Sequence, residues 1–315
     1  MTYAFGVDLG GTTVKLAFFK MPGEMLDKWE IPTDTSDSGS KILPDIAASV
    51  QQYLDSHGID KRSVIGIGIG VPGAVSNAGI VNQCVNLGWD VIPVEQVLGE
   101  LIGLPVKAGN DANVAALGEN WVGGGKGCDN MLMVTLGTGV GGGIIVDGRI
   151  VNGAHGAGGE IGHIVLNREE TAVCGCGKRG CAEQYCSATG IVRTCKQYLA
   201  ATDAPSALRD IEQLTCRDIF DIAKAGDAVA RDFLETVYDR MAEFLANVCN
   251  VVDPEIVVIG GGVSKAGQVL LDGICRYLKK HIFHAASSVR FALAELGNDA
   301  GVWGAYKLVL DHHLN

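Results

Sequence analysis

Apolar runs separated by short polar turns open the chain. Residues 3–9 are largely apolar, 10–13 read Gly-Gly-Thr-Thr, and 14–19 are apolar again, which predicts strand, turn and strand. Within 40–57, apolar residues recur at the spacing of one helix face, which predicts a helix buried on one side. Those residues are Ile42, Ile46, Val50 and Leu54.

The opening pattern appears a second time, roughly 130 residues later. Residues 131–136 are apolar, 137–139 read Gly-Thr-Gly, and 141–146 are glycine-rich and apolar. A glycine-rich stretch at 123–127 precedes this copy and is typical of a linker. The repeat indicates a duplicated domain rather than a dinucleotide-binding fold, because the glycine run of the second copy does not lead into a helix.

The remaining pattern completes an α/β organisation. Further strands are predicted at 64–71, 106–108 and 255–259, and helices at 112–121, 228–249, 262–280 and 301–314. We therefore expect an N-terminal α/β domain over 1–120, joined by the C-terminal helix at about 301–315. A second α/β domain is expected over 121–300.

Composition and charge narrow the class of protein. The 315 residues are 47% hydrophobic and 19% charged, which suffices for a sizeable core. The net charge of −11 argues against a nucleic-acid partner, since phosphate backbones attract basic surfaces. We find no apolar run of the ~18 residues that a membrane span needs and no basic leader before an apolar segment. We therefore expect a cytoplasmic protein with reduced thiols.

The first turn has the composition of a phosphate site. Glycines let backbone N–H groups approach phosphate oxygens, and Thr12 and Thr13 add hydroxyl donors. Asp8, at the end of the first strand, is placed to hold Mg²⁺. An ordinary hairpin is the alternative for this segment alone. The second turn, with Thr138 and Gly139, and a third at 260–262 together favour a nucleoside triphosphate cleft.

Asp111 follows the strand at 106–108 and precedes a helix. One interpretation is a helix N-cap, a position at which aspartate is favoured. The other is a general base that accepts a hydroxyl proton while the oxygen attacks a γ-phosphate, with Asn110 orienting the substrate. One aspartate can serve both roles, and the sequence does not separate them.

A cluster of soft ligands lies in the second half of the chain. His163 is followed by Cys174, Cys176 and Cys181 in a glycine-rich loop. One imidazole and three thiolates form a tetrahedral set suited to structural Zn²⁺. A redox pair and three unrelated buried thiols are the alternatives. The other seven cysteines are scattered, and we interpret them as packing residues.

Two carboxylates bracket this cluster. Glu160 lies three residues before His163, and Glu183 lies two residues after Cys181. A metal loop would hold both in place, which makes them candidate acceptors for sugar hydroxyls. If no metal is bound, the simpler interpretation is that both are charged loop residues exposed to solvent.

These motifs together resemble the ROK family (repressors, open reading frames and sugar kinases) within the actin/hexokinase-like ATPase superfamily. The similarity covers essentially the whole chain, and the GEIGH segment beside the cysteine knuckle is its most specific part. The matching segments are DLGGTT at 8–13, VPG at 71–73, NLGW at 86–89, NDAN at 110–113, LGTGVGGG at 136–143, GEIGH at 159–163, CGCGKRGC at 174–181 and IGGG at 259–262.

The resemblance implies two ribonuclease H-like α/β domains around an interdomain cleft, with a zinc-binding loop. It implies Asp111 as catalytic base and ATP with Mg²⁺ as cofactors, besides structural Zn²⁺. The implied sugar contacts are Gly73, Asn86, Asn110, Asp111, Glu160, His163 and Glu183. The implied nucleotide contacts are Asp8, Gly10, Gly11, Thr12, Thr13, Thr138, Gly139, Gly261 and Gly262. The implied metal ligands are His163, Cys174, Cys176 and Cys181.

Within the family, the motifs are most similar to those of bacterial glucokinases. The implied activity is ATP-dependent phosphorylation of the 6-hydroxyl of D-glucose, and another hexose or N-acetylhexosamine is the nearest alternative substrate. A sugar-responsive repressor is disfavoured because seven residues before Asp8 leave no room for a helix-turn-helix. A non-catalytic sugar sensor is disfavoured by the intact base and phosphate turns. The implied partners are glucose and ATP, without nucleic acid or membrane, in a homodimer or tetramer.

Overall fold

Strands and helices alternate along residues 1–314, the part of the chain that this computed structural model describes. The strands are β1 (Tyr3–Leu9), β2 (Thr13–Lys20), β3 (Glu24–Pro32), β4 (Val64–Val71), β5 (Ile80–Cys84), β6 (Trp89–Pro93), β7 (Val106–Asn110), β8 (Met131–Leu136), β9 (Val140–Val146), β10 (Arg149–Ile150), β11 (Ile256–Gly260) and β12 (Arg290–Leu293). The helices are α1 (Ser36–Gly39), α2 (Ile42–Ser56), α3 (Val94–Ile102), α4 (Asp111–Val122), α5 (Glu183–Cys186), α6 (Ala188–Ala200), α7 (Cys216–Lys224), α8 (Ala228–Val252), α9 (Gln268–His281) and α10 (Ala300–Leu314).

The chain divides into two compact units. The first comprises Met1–Asp129, Gly143–Gly159 and the chain from Glu295 onward, and the second comprises Asn130–Gly142 and Glu160–Ala294. These units differ from the predicted domains chiefly in residues 143–159, which belong to the first unit. A Cβ on Gly143 would lie 2.4 Å from the Cβ of Ala116, so this backbone packs directly on α4.

The first unit is built on a mixed sheet of order β3–β2–β1–β4–β7. Strands β1, β2 and β3 are antiparallel, whereas β4 and β7 run parallel to β1. The apolar positions predicted for 3–9 and 64–71 are buried in this sheet, and those of α2 pack on it. A separate hairpin pairs β5 with β6.

Helix α10 packs against the sheet and α4 at unusually short range. A Cβ on Gly304 would lie 1.7 Å from the carbonyl oxygen of Val114, and one on Gly68 would lie 1.7 Å from that of Ala305. Backbone meets backbone at both places, so no side-chain rearrangement could make room. Glycine is therefore required at these positions by close approach rather than by backbone angle.

We expect Gly304→Ala to lower the free energy of unfolding by at least ~2 kcal/mol, because overpacking against a fixed backbone forces α10 away from α4. Urea denaturation followed by circular dichroism measures this. Gly99→Ala in α3 is the matched control, since its Cβ would lie an ordinary 3.4 Å from the nearest atom, and it should be neutral or stabilising. Equal stability of the two variants would contradict the packing argument.

The second sheet has the order β10–β9–β8–β11–β12. Strands β11 and β12 run parallel to β8, as β4 and β7 run parallel to β1, and β10 pairs antiparallel with β9. The same strand order thus occurs twice, and the predicted duplication is confirmed. Strand β9 crosses between the two units at Gly142 and Gly143.

Two local predictions are wrong. Asp111 is not the N-cap of α4 but its first residue, because Asn110 has the extended backbone of a cap and its side chain accepts from the Asn113 amide. The glycine run at 260–262 does not open a long helix. A short 3-10 helix (Val263–Ala266) follows it, and Gly267, at φ +76°, separates that turn from α9.

Other predictions are refined rather than overturned. Residues 123–127 form a hydrogen-bonded turn within the first unit instead of an open linker. The predicted C-terminal helix corresponds to α10, and its last predicted residue, 315, lies outside the described residues. None of the helices described over 1–314 combines the length and apolar character that crossing a bilayer requires.

Candidate functional site

Asp8 lies next to the C-terminal end of β1, opposite Lys15 on β2. The Lys15 Nζ is 3.8 Å from Asp8 Oδ2 and donates to the Asn298 carbonyl at 3.1 Å. Burial raises the pKa of Asp8, and the charge of Lys15 opposes that rise in part. The backbone of Gly301 approaches from α10, where a Cβ would lie 2.4 Å from Asp8 Cγ. A largely buried carboxylate is thus held beside one cation.

The predicted phosphate turn connects β1 to β2. The Gly10 amide donates to the Thr13 carbonyl at 3.1 Å, and the Thr33 hydroxyl donates to the Gly10 carbonyl at 2.7 Å. Gly11 and Thr12 are exposed at its tip. A turn held by hydrogen bonds, with an exposed glycine at its tip, can present backbone amides to an anion.

Asn110 and Asp111 stand where β7 passes into α4. The Asn110 Nδ2 donates to the Gly73 carbonyl at 3.0 Å and to Asp111 Oδ1 at 3.1 Å. The Ala112 amide also donates to Asp111 Oδ1, at 2.8 Å. Two donors on one oxygen fix the orientation of the carboxylate.

Register brings these groups to one edge of the first sheet. Asp8 pairs with Gly70 on β4, and Gly70 pairs with Gly109 on β7. Because β1, β4 and β7 are parallel, the phosphate turn and Asp111 both follow carboxyl ends of strands, the edge at which open α/β sheets bind ligands.

Gly73 and Asn86 belong to neighbouring segments. Gly73 follows β4 and accepts from Asn110 as described above. Asn86 is exposed in a short 3-10 helix (Val85–Leu87) directly after β5. Its neighbour Cys84 has a raised pKa, chiefly through burial and in smaller part through the negative charge of Asp111. A Cβ on Gly73 would lie 3.1 Å from the Gln83 carbonyl oxygen, so the end of β5 lies against the turn that accepts from Asn110.

In the second unit, Thr138 and Gly139 form the turn between β8 and β9. The Thr189 hydroxyl donates to the Thr138 carbonyl at 2.6 Å, and the Ala188 amide donates to the Gly137 carbonyl at 2.8 Å. The turn is therefore tied to the start of α6. A Cβ on Gly139 would lie 2.3 Å from Glu183 Oε2, so the carboxylate lies directly against the backbone of the turn.

Glu183 connects this turn to the cysteine cluster. Its Oε2 accepts from the Val140 amide at 3.0 Å, and its Oε1 lies 3.6 Å from Cys174 Sγ. The sequence suggested a sugar contact for this residue but no link to the 137–139 turn. Glu183 and the Val140 amide are 43 positions apart, so no short sequence spacing indicates their hydrogen bond.

His163, Cys174, Cys176 and Cys181 come together in this unit, with one ligand atom from each lying within 4.8 Å of the others. The Cys176 and Cys181 sulfurs are 3.6 Å apart, and His163 Nδ1 is 3.8 Å from Cys174 Sγ. Tetrahedral Zn–S bonds of about 2.3 Å put two sulfurs about 3.8 Å apart, so the set has the dimensions of a zinc site. Burial raises the pKa of Cys181 to about 12 in the protein without metal.

The second nitrogen of His163 faces Glu160, with Nε2 3.9 Å from Glu160 Oε2. The imidazole therefore points one nitrogen at the thiols and the other at an exposed carboxylate. Glu160 and His163 are brought together as the sequence suggested, and Glu183 reaches the same cluster through Cys174.

A polar contact outside the predicted residues holds the loop that carries these cysteines. The Glu170 carboxylate accepts from the Tyr185 hydroxyl at 2.6 Å and from Arg193 Nη2 at 2.8 Å. These donors lower the pKa of Glu170 to about 2. The loop is thereby hydrogen-bonded to α5 and α6 through side chains outside the four-ligand set.

Gly261 and Gly262 follow β11. Gly261 has φ +84°, and a Cβ there would lie 2.6 Å from the Leu136 carbonyl oxygen. Gly262 is exposed and lines a cavity of about 620 Å³ together with Thr215 and Ala188. A cavity of that size in the second unit can accept a nucleoside.

Comparison with known proteins matches this arrangement to one family. A glucokinase from Halalkalibacterium halodurans is 44% identical over 309 residues, covering 96% of this chain and 94% of that protein. A putative xylose repressor from Caldicellulosiruptor is 30% identical and covers 98% of this chain but 78% of the repressor. A crystal structure of a ROK family glucokinase from Streptomyces griseus in complex with glucose and AMPPNP superimposes with a TM-score of 0.73 at 33% identity. That match covers 98% of this chain and 99% of the other.

The ROK family profile matches residues 4–312, nearly the whole chain. Both five-stranded sheets are mixed, and the chain shares its fold with the solved ROK family glucokinase. The chain belongs to the ROK family.

Proposed function

We propose that this protein transfers the γ-phosphoryl group of ATP to the 6-hydroxyl of D-glucose. The 44% identity to a glucokinase over 96% of the chain supports this activity. The observation that carries it is the Asp111 carboxylate, oriented by Asn110 at the sheet edge that also bears the phosphate turn. A repressor or sensor would have no need of an oriented base beside a phosphate turn.

Asp111 is the general base in this proposal. It accepts the proton of the sugar 6-hydroxyl as that oxygen attacks the γ-phosphorus in line with the departing ADP. The Asn110 and Ala112 donors hold Oδ1, so the carboxylate does not have to reorganise when the sugar binds. The amide oxygen of Asn110 caps α4 by accepting from the Asn113 amide, and its amide nitrogen donates to Asp111. The start of the helix and the orientation of the base therefore depend on one residue.

The turns at 10–13 and 137–139 bind the triphosphate in this proposal, with Gly261 and Gly262 beside the adenosine. Asp8 is the residue that would hold Mg²⁺, since a carboxylate oxygen is the ligand this ion prefers. Bound Mg²⁺ would offset the charge that develops on the phosphate oxygens. Lys15 offsets the charge of Asp8 when no nucleotide is bound. It belongs to β2, the strand that follows the phosphate turn.

We expect Lys15→Met to move the acidic limb of kcat/KM for ATP to higher pH. Asp8 must be ionised to hold a cation, so activity falls as the pH drops through its pKa. Burial already raises that pKa and Lys15 lowers it, so removing the lysine raises it further. A pH profile of ATP turnover measures the shift. Lys15→Arg keeps the charge and should retain the parental profile, and an unshifted Lys15→Met profile would contradict this role of Lys15.

The proposed sugar contacts group around the base and the metal loop. Carboxylate and amide groups bind sugar hydroxyls through hydrogen bonds that discriminate between epimers. The proposed contacts are Gly73, Asn86, Asn110, Asp111, Glu160, His163 and Glu183.

We further propose that His163, Cys174, Cys176 and Cys181 hold a structural Zn²⁺. The sulfur spacing and the four-ligand set support zinc, and a closed Cys₃His set leaves no position for a substrate. Bound zinc supplies a rigid crosslink within the loop. His163 would then donate from Nε2 toward Glu160 and the sugar while Nδ1 binds the metal.

Glucose should be the best substrate in a coupled ADP-release assay run with a panel of sugars. The panel contains glucose, mannose, fructose, allose, N-acetylglucosamine and N-acetylmannosamine. We expect kcat/KM for glucose to exceed the others by about tenfold or more, since each mispaired hydroxyl costs roughly 1–3 kcal/mol. Higher turnover of an N-acetylhexosamine would keep the mechanism and reassign the substrate. Absence of sugar-dependent turnover would refute the kinase proposal.

A cytoplasmic location and a homodimer or tetramer are proposed on the family resemblance. Both substrates, ATP and glucose, are small cytoplasmic metabolites in this proposal. Sedimentation analysis of the purified protein with and without glucose would establish the oligomeric state.

A further inference from the structure

A second cavity of about 610 Å³ lies within the second unit, among α7, α8 and α9. Its floor is formed by buried Phe220, Leu234 and Tyr238. The Phe220 and Tyr238 rings are 6.5 Å apart between centroids and tilted by 55°. Small-molecule sites usually have volumes of about 300–1,000 Å³ and apolar walls with a few polar groups, and this cavity has both properties.

The rim of this cavity is cationic. Lys224, Arg231 and Lys265 are exposed there, and within residues 1–314 none of the three forms an ion pair. The two acidic residues that line the cavity have cation partners, Asp221 with Arg217 at 3.3 Å and Glu235 with Arg276 at 2.6 Å. Three unpaired cations are thus gathered at one opening of a chain whose net charge is −11.

The rim is also partly ordered before any ligand binds. Arg231 donates from Nε to the Ala223 carbonyl at 3.0 Å, which holds its guanidinium beside the opening. Val269, on the first turn of α9, lines the cavity and is 53% exposed. Val269 thus adds apolar surface at the mouth of the cavity.

We propose that this cavity binds an aromatic anion, a planar ring that carries a carboxylate or phosphate group. The ring would pack on Phe220 and Tyr238, and the anionic group would pair with the rim cations. The apolar floor disfavours a sugar phosphate, because sugar hydroxyls buried against Phe220 and Leu234 would lose their hydrogen bonds to water. None of the residues that line this cavity belongs to the proposed base or to the phosphate turns.

Binding here should alter nucleotide affinity. Phe220, Asp221, Lys265 and Ala266 also line the adjoining cavity of Gly262 and Thr215, where we place the adenosine. A ligand that reorients these shared side chains changes the affinity of the neighbouring cavity, and such coupling acts equally in both directions. This regulatory part of the inference rests on the proposed function, whereas the binding part does not.

The binding part is tested with 8-anilinonaphthalene-1-sulfonate, an aromatic sulfonate whose fluorescence rises in apolar sites. We expect one saturable site on the native protein. Val269→Glu puts a negative charge at the mouth without altering a buried residue, and it should weaken the dye by about tenfold or more. The double variant Lys224→Gln/Arg231→Gln should weaken it similarly. Lys279→Gln on α9 is the control, since Lys279 is exposed and lies outside the cavity lining, and it should bind like the parent.

The outcomes separate the two parts of the inference. Unchanged dye affinity in both Val269→Glu and the double variant would overturn the proposed site, as would affinity lost equally in Lys279→Gln. Complete competitive displacement by Mg·ATP would place the dye in the nucleotide cavity and also overturn it. A change of a few-fold in dye affinity at saturating ATP supports the coupling, and no change refutes that part. None of these readouts uses sugar turnover, so failure of the kinase proposal would be visible separately.

Discussion

Replacing Asp111 with asparagine should reduce kcat for glucose phosphorylation by about 10²–10⁴-fold, because a general base typically contributes that much to the rate. The amide has the shape of the carboxylate and can still accept from the Ala112 amide, so the start of α4 should persist. It cannot take a proton from the sugar. The loss should therefore fall on kcat, with glucose binding retained within a few-fold.

Two measurements separate this role from a structural one. Steady-state kinetics give kcat, and calorimetric titration with glucose gives binding without turnover. Asp45→Asn, at an exposed position in the first turn of α2, is the matched control and should keep full activity. A mutant that loses glucose affinity in proportion to kcat would assign Asp111 to binding alone. A mutant with parental kcat would remove the general base from the proposed mechanism.

The elements of the first sheet were predicted where apolar runs end in recognisable turns. Strands β1 and β4 are buried on both faces, so their sequences are nearly continuous apolar runs that end at Gly10 and at Pro72-Gly73. Strand β3, by contrast, is an edge strand whose exposed positions are mostly charged. Its apolar residues Met25, Leu26, Trp29 and Ile31 do not alternate regularly with the polar ones, so strand periodicity does not mark it.

The repeated strand order depends on pairings that the sequence does not show. Two similar strand-turn-strand segments predicted a duplication, but the parallel pairing of β8 with β11 joins residues more than a hundred positions apart. Short β12 and β10 carry no pattern long enough to detect. These two strands take their places by hydrogen-bonding to the backbone N–H and C=O groups of β9 and β11. Those unpaired groups exist only once the sheet has formed.

The candidate site was predicted as separate motifs and not as a set of contacts. Asp8, Asp111 and the cysteine knuckle are recognisable because chemistry requires those residue types at short spacing. The polar residues that hold these motifs act over long sequence distances. Glu119 is fully buried and accepts from the Gly124, Glu295 and Leu296 amides, tying α4 to the segment before α10. A buried carboxylate bonded to three backbone amides has no local sequence signature.

The cysteine knuckle at 174–181 is a case in which the spacing of residues in the sequence does predict a contact. Cys174 and Cys176 are two residues apart and Cys181 follows within the same loop, so chain connectivity alone brings their sulfurs within metal-binding range. Arg193 and Tyr185, which hold the loop through Glu170, were not predicted because a hydrogen bond between an acid and a tyrosine is common in any fold. Metal sites are thus more predictable than the polar contacts that support them.

Cys181→Ser should remove bound zinc and weaken glucose binding together. Cys181 is fully buried, and its pKa is raised to about 12 without metal, so the thiol is protonated at neutral pH until a metal displaces the proton. A serine hydroxyl does not ionise there and is a poor zinc ligand. We expect the zinc content of the purified protein to fall from about one per chain to near zero. The melting temperature should fall by about 5–10 °C, since each kcal/mol lost shifts it by about 2–4 °C in a domain of this size.

The effect on glucose follows from what the loop holds in place. His163 faces Glu160 through the nitrogen that is not turned toward the thiols, and Glu183 contacts Cys174 and the Val140 amide. Without the metal, these three side chains lose the crosslink that sets their mutual positions, and KM for glucose should rise by about tenfold or more. Cys275→Ser on α9 is the matched control, because Cys275 is exposed and lies outside the ligand set, and it should keep zinc and activity. Parental glucose kinetics in a zinc-free Cys181→Ser protein would show that Glu170, Tyr185 and Arg193 suffice to hold the loop, and would limit the metal to stability.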